Sequence, residues 1–128
     1  MSEPFRTRIE DVSLEQGLRE DEGWIDMQVQ FLIRSPQLLV GRTVLTPGAR
    51  HEKHRHPNCD EFLVVMSGSG EIYTDDGTEP SQAGDVVFTP AGHWHGFNNT
   101  SGEDVLLIWG WEGAGSLEAA GYELPGDG

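Results

Sequence analysis

Cysteine is nearly absent from this sequence. Cys59 is the one thiol in 128 residues, so no disulfide can brace the chain from within. Lysine and arginine stop altogether at Arg55. Residues 1–55 carry eight basic and nine acidic side chains, whereas residues 56–128 carry thirteen acidic ones and no Lys or Arg. The net charge of −14 repels nucleic acid and anionic lipid. No run approaches the roughly 18 apolar residues of a membrane span, and the first residues hold no apolar stretch of signal-peptide type. These absences predict a soluble, cytoplasmic protein with no nucleic-acid or membrane partner. Asn98-Asn99-Thr100 matches a glycosylation sequon and, without a secretion signal, is a chance match. The cluster Arg42, Arg50, Lys53 and Arg55 reads either as plain solubility or as a local rim that favours anions.

What is present is enough to fold. A chain of 128 residues is the size of one domain, and four Trp and five Phe can fill a core without a structural metal. Residues 1–128 are expected to form a single domain, with a barrel core over about 24–111 and an extension at each end.

Turn signals punctuate the chain at short intervals. Ser13-Leu14-Glu15-Gln16 fits a helix capping box, with Gly17 limiting the helix. Residues 24–34 read as a strand broken by Pro36, and residues 38–46 as a second one ended by Pro47-Gly48. Further strands are expected near 51–56, 61–66, 70–74, 85–89, 95–99 and 104–111. A Gly-rich tail follows, with one helical turn at residues 116–120. This spacing, with no βαβ rhythm, predicts an all-β sandwich or barrel.

The five histidines fall in two clusters, His51, His54 and His56 followed by Glu61, and His93 with His95. His54 and His56 are two apart, so on a strand both rings share a face. Glu61 opens the next strand after a short loop, and a hairpin returns its carboxylate to the two imidazoles. Three such groups facing a dry interior are costly unless a divalent cation lies between them. Imidazole with carboxylate suits a first-row transition metal: Fe or Mn first, then Ni, Zn or Cu.

The same region carries a longer pattern. Gly48, five residues, His54-Arg55-His56, four residues, Glu61, six residues and Gly68 form one segment. Gly84, five residues, Pro90-Ala91-Gly92, two residues, His95, three residues and Asn99 form another. In these two segments the chain resembles the cupin superfamily, over roughly residues 38–111. The resemblance implies a jelly-roll-like antiparallel double-sheet β-barrel with short terminal helices. It implies one divalent metal per chain, held by His54, His56, Glu61 and His95. It implies turn glycines at Gly68, Gly84 and Gly92, a strand stop at Pro90, a loop brace at Asn99, and a homodimer. Residues 24–34, or the run Val105-Leu106-Leu107-Ile108-Trp109, apolar on both faces, would lie in the interface.

Other residues carry two readings each. His93 is either turned toward the site or an exposed loop histidine. His51, out of step with His54 and His56, faces outward or lines the entrance. Cys59 is a sulfur ligand, a crosslinking site or an ordinary loop cysteine. Leu63, Val65 and Phe97 share parity with the ligands and line the pocket. Trp94, Trp109, Trp111 and Tyr73 either reach the site or pack elsewhere.

Four protein ligands in an octahedral sphere leave two positions open, enough for a bidentate substrate or for substrate beside O2. The expected function is a metal-dependent dioxygenase acting on a small enol, diketone or phenol, with Glu61 as the catalytic carboxylate. The alternatives are a non-oxidative isomerase, lyase or decarboxylase, and a non-enzymatic small-ligand binder.

Overall fold

The computed structural model describes residues 6–16 and 24–126. A 3-10 turn, Ile9–Asp11, leads into nine strands: β1 Glu15–Gln16, β2 Trp24–Ser35, β3 Leu38–His54, β4 Asp60–Ser67, β5 Ser69–Thr74, β6 Gly77–Gln82, β7 Val86–Thr89, β8 His95–Asn98 and β9 Val105–Glu112. One short helix, α1 Leu117–Ala120, follows. Every pairing is antiparallel, in the order β6-β5-β8-β3-β9-β4-β7, with β2 on the free edge of β3 and β1 on β2. The architecture is the expected all-β cupin-type double-sheet barrel. No helix among the described residues is long and apolar enough to cross a membrane.

The curl comes from β3. Its first half, through Leu45, pairs with β9, and its second half, from Arg50, pairs with β8 on the same edge. The two neighbours part at Pro47-Gly48, where proline lacks an N–H for the ladder and Gly48 has φ 85°. Strand β3 is therefore continuous where two strands were expected, and it serves both walls. Asn99 braces this corner: its side-chain amide donates to the carbonyls of Leu45 (2.8 Å) and Glu103 (2.7 Å). Gly68, Gly84 and Gly92 all hold positive φ, as turn positions do.

Alternation places the core. Leu39, Gly41, Thr43 and Leu45 on β3 turn inward, opposite Trp111, Trp109, Leu107 and Val105 on β9. A Cβ on Gly41 would fall 2.2 Å from the Trp109 ring, so only glycine lets that indole lie against β3. The Trp109 N–H then donates to the Thr43 hydroxyl at 2.8 Å. Leu106 and Ile108 point the other way and are half-buried, which accounts for an apolar run on both faces of a central strand.

Two elements differ from expectation. Glu15 and Gln16, read as the start of a helix, instead form β1 against Val29 and Gln28. Gly17 lies outside the described residues. The buried Gln30 amide holds this segment by donating to the carbonyls of Ile9 (2.9 Å) and Val12 (2.8 Å), so tertiary contacts outweigh the local capping pattern. Strand β6 was not foreseen. Its Pro80 is tolerated because β6 pairs on one side only, with β5.

Candidate metal centre

Strand register assembles the site. His54 and His95 are directly opposed on β3 and β8, and Glu61 is directly opposed to Trp111 on β4 and β9. His56 follows β3, and its carbonyl receives the N–H of Gly92 at 2.9 Å, which closes the turn before His95. All four groups are buried: His54 at 1% exposure, His56 at 2%, His95 and Glu61 at 8%. They line one cavity of about 220 Å³. The ligand-type nitrogens of His54, His56 and His95 all lie within 4.8 Å of one another, so these three residues can hold a metal ion.

Each imidazole is oriented through its Nδ1. That of His54 donates to the Glu52 carbonyl at 2.6 Å, that of His56 to the Gly121 carbonyl at 2.6 Å, and that of His95 to the His93 carbonyl at 3.3 Å. Such bonds leave the Nε2 lone pairs for the cavity. None of the three Nε2 atoms, all buried, has a hydrogen-bond partner. An unsatisfied buried polar atom costs about 1–3 kcal/mol, and a divalent cation removes that cost for His54 and His56 while engaging the third nitrogen, that of His95, as well. The residues present thus fit a transition metal.

Glu61 stands beside them. Its Oε2 lies 2.9 Å from His95 Nε2, a close ionic contact without hydrogen-bond alignment, and its Oε1 accepts the Trp111 N–H at 2.8 Å. Burial works to raise its pKa, but His95, then His56 and the Trp111 bond, outweigh it and hold the carboxyl down at about 2. His95 shows the reverse balance: burial lowers its pKa, and Glu61 more than restores it, to above the ordinary histidine value. Burial first, and neighbouring imidazoles second, hold His54 well below that value; burial also lowers His56, partly offset by Glu61.

The remaining candidates separate cleanly. His51 lines the cavity and stacks on His54, with centroids 3.8 Å apart and planes 17° apart. The outward alternative for it is corrected: β3 shifts register against β8 between His51 and His54, which reverses the parity. Burial, with His95 second, takes its pKa to about 3. His93 is an exposed loop residue whose Nδ1 meets Asp75 Oδ2 at 2.7 Å; its carbonyl, rather than its ring, serves the site. Cys59 is buried outside the cavity lining and apart from the three histidines that can hold a metal, so it is no ligand there; burial chiefly pushes its thiol up to about 12. Leu63, Phe97, Trp109 and Trp111 line the cavity; Val65, Tyr73 and Trp94 do not.

The basic cluster forms no anion rim around the cavity. Arg42 donates to Gln30, Arg50 meets Glu52, Lys53 donates to the Asp75 carbonyl, and Arg55 pairs with Glu123 while stacking on Trp94. None of the four lines the cavity.

The C-terminal segment is a part of the site that sequence reading missed. Backbone bonds tie Arg55 to Glu123 and Asn58 to Ala120. They deliver the Gly121 carbonyl to His56, Leu117 to the cavity wall, and the Tyr122 ring onto His54, with centroids 5.0 Å apart. The Tyr122 hydroxyl lies 3.3 Å from His51 Nε2.

Fold and site together define a small β-barrel with an interior cluster of imidazoles able to bind a metal. The Cupin domain family matches residues 41–111, and this chain belongs to that family. It is similar to Protein SchB of Streptomyces halstedii, 33% identical over 70 residues, covering 55% of this chain and 51% of that protein. It is also similar to a gentisate 1,2-dioxygenase of a Ralstonia species, 35% identical over 76 residues, covering 58% of this chain and 21% of the relative. The chain thus spans about half or less of the length of these relatives. Among solved structures, the polyketide cyclase RemF of Streptomyces resistomycificus superposes with a TM-score of 0.74 at 21% identity, over 84% of this chain and 78% of that one.

Proposed function

We propose that this protein is a metal-dependent enzyme acting on a small enol, diketone or phenol, with a dioxygenase as the leading reading. The observation that carries it is the convergence of three buried Nε2 atoms on one cavity, those of His54 and His56 without partners and that of His95 against the Glu61 carboxylate. His54, His56 and His95 would hold one divalent transition metal, with Glu61 as the fourth ligand. When bound, the metal supplies Lewis-acid polarisation of a substrate oxygen and, where redox-active, electron exchange with O2. The chain's own residues do the rest. Backbone carbonyls fix the imidazoles in one tautomer. Trp111 occupies Glu61 Oε1, so Oε2, which faces His95, is the oxygen that would either ligate the metal or take a proton from a substrate hydroxyl. Leu63, Leu107 and Trp109 shield the site from water. The printed activity of the Ralstonia relative supports the oxidative reading.

A second reading, proton transfer without O2, rests on that same Oε2 and is supported by a Bacillus subtilis relative named oxalate decarboxylase OxdC, 31% identical over 113 residues. Oxygen uptake measured beside product formation, over a panel of enols, diketones and catechols, separates the two. The dioxygenase reading expects product only with O2 consumed; full-rate product under strict anaerobiosis would overturn it.

The enzyme is further read as a cytoplasmic homodimer. Phe62, Met66, Val86 and Phe88 are exposed on the outer face of β4 and β7, next to Leu106 and Ile108 of the apolar run. A face of this kind is covered in most soluble proteins, and a second copy supplies the matching surface.

A further inference from the structure

The cavity has two unlike poles. At one stand His54, His56, His95 and Glu61, with His51 stacked on His54. At the other stand Met27, Val29, Phe31, Leu45, Leu107 and Trp109. The apolar pole is built and stiff: Phe31 meets Trp109 edge to face with centroids 6.2 Å apart, and Trp109 packs on Trp111 at 5.1 Å. Polar groups near these rings already have partners. The Trp109 N–H is given to Thr43 and the Trp111 N–H to Glu61.

No lysine or arginine is among the residues that line the cavity. Arg34 is exposed, and its guanidinium lies over the Phe31 ring, 4.4 Å from the centroid, without joining the cavity lining. A carboxylate carried on the body of a ligand would therefore be buried unpaired, which is far costlier than burying a ring. An apolar cavity of about 150 Å³ already takes benzene, so 220 Å³ has room for a larger ring system.

We propose that the substrate is an uncharged, flat, largely apolar molecule of one or two fused rings, whose polar anchor is a pair of neighbouring oxygens turned to the histidine pole. This deepens the metal-centre reading and rests on it. The aromatic wall of Phe31, Trp109 and Trp111 selects the body of the molecule, and the histidine pole selects its oxygens. Compact dianions leave the apolar pole unfilled, and ring acids bury a charge against it.

The test uses the full chain loaded with zinc, with metal content measured first. Calorimetric titration compares 2,3-dihydroxynaphthalene with 3,4-dihydroxybenzoate and with oxalate. The naphthalenediol is expected to bind tighter than either acid by about 10-fold or more. Phe31→Arg, placed where the wall is half-buried, is expected to weaken the diol by about 10-fold and to strengthen the benzoate. The wild-type ranking decides the question even should that variant fail to fold. Absence of bound zinc would bring down the metal-centre reading and this proposal with it. One equivalent of zinc with an acid bound as tightly as the diol, or with no probe bound, would overturn this proposal alone.

Discussion

Trp111 and Glu61 are opposed partners on neighbouring strands, and the indole N–H of one donates to Oε1 of the other at 2.8 Å. The bond holds the carboxylate in one orientation, with Oε2 toward His95. Groups that orient a metal ligand in this way typically matter by 10–100-fold in affinity. Trp111→Phe keeps a ring in the core and removes the donor. Zinc affinity, read by competition with a chromogenic chelator, is expected to fall about 10-fold with the circular dichroism spectrum retained. Unchanged affinity would show that the carboxylate is held by other means.

The protonation states of the metal-free protein set the number of protons that metal binding releases. Held well below the ordinary histidine value, chiefly by burial, His54 is neutral at pH 6, as is His51 at about 3, and burial shifts His56 toward the neutral form. Glu61, at about 2, is ionised, whereas His95, raised above 6.5, is mainly protonated. Metal uptake at pH 6 must displace that one proton, so about one is released per metal bound. The release shrinks as pH rises through the His95 pKa, because less of the imidazolium is left to deprotonate. Calorimetry in buffers of different ionisation enthalpy measures it. Release of two or three protons would show that His54 and His56 are charged in the metal-free protein.

Gly121 holds φ 80° and ψ 158°, a conformation open almost only to glycine, and a Cβ there would lie 2.8 Å from Pro57. Its carbonyl is the acceptor for His56. Gly121→Ala is expected to destabilise the metal-free protein by about 1–3 kcal/mol and to weaken metal binding as well. Thermal melting and metal titration check the two effects separately.

Much of this arrangement was legible in advance, for a physical reason. The two-residue spacing turns His54 and His56 toward one interior even though β3 ends at His54. The expected hairpin does not form: β9 lies between β3 and β4, and Glu61 reaches the imidazoles from its place opposite Trp111. Other features follow from contacts too distant in the chain to leave a pattern. Pro47-Gly48 reads as a stop, yet the strand continues through it because different partners hold its two halves. A single register shift turns His51 inward against its parity. Tyr122 and Gly121 lie in a Gly-rich tail with no periodicity, and only backbone bonds to residues 55 and 58 bring them to the site.

The exposed strip on β4 and β7 has its own test. Phe88 is 65% exposed, so Phe88→Glu leaves the interior intact while placing a charge on the outer face. Light scattering at micromolar concentration should give a dimer mass for the wild type and a monomer mass for the variant. A monomeric wild type would contradict the assembly.

The central claim is that the Nε2 atoms of His54, His56 and His95 together bind one metal ion. Elemental analysis of protein purified without added metal, run beside His54→Ala, His56→Ala and His95→Ala, tests it most directly. The account predicts one equivalent of a divalent transition metal per wild-type chain and a sharp loss in each variant, with every barrel still folded. Full metal in all three variants, or none in the wild type even after loading, would contradict it.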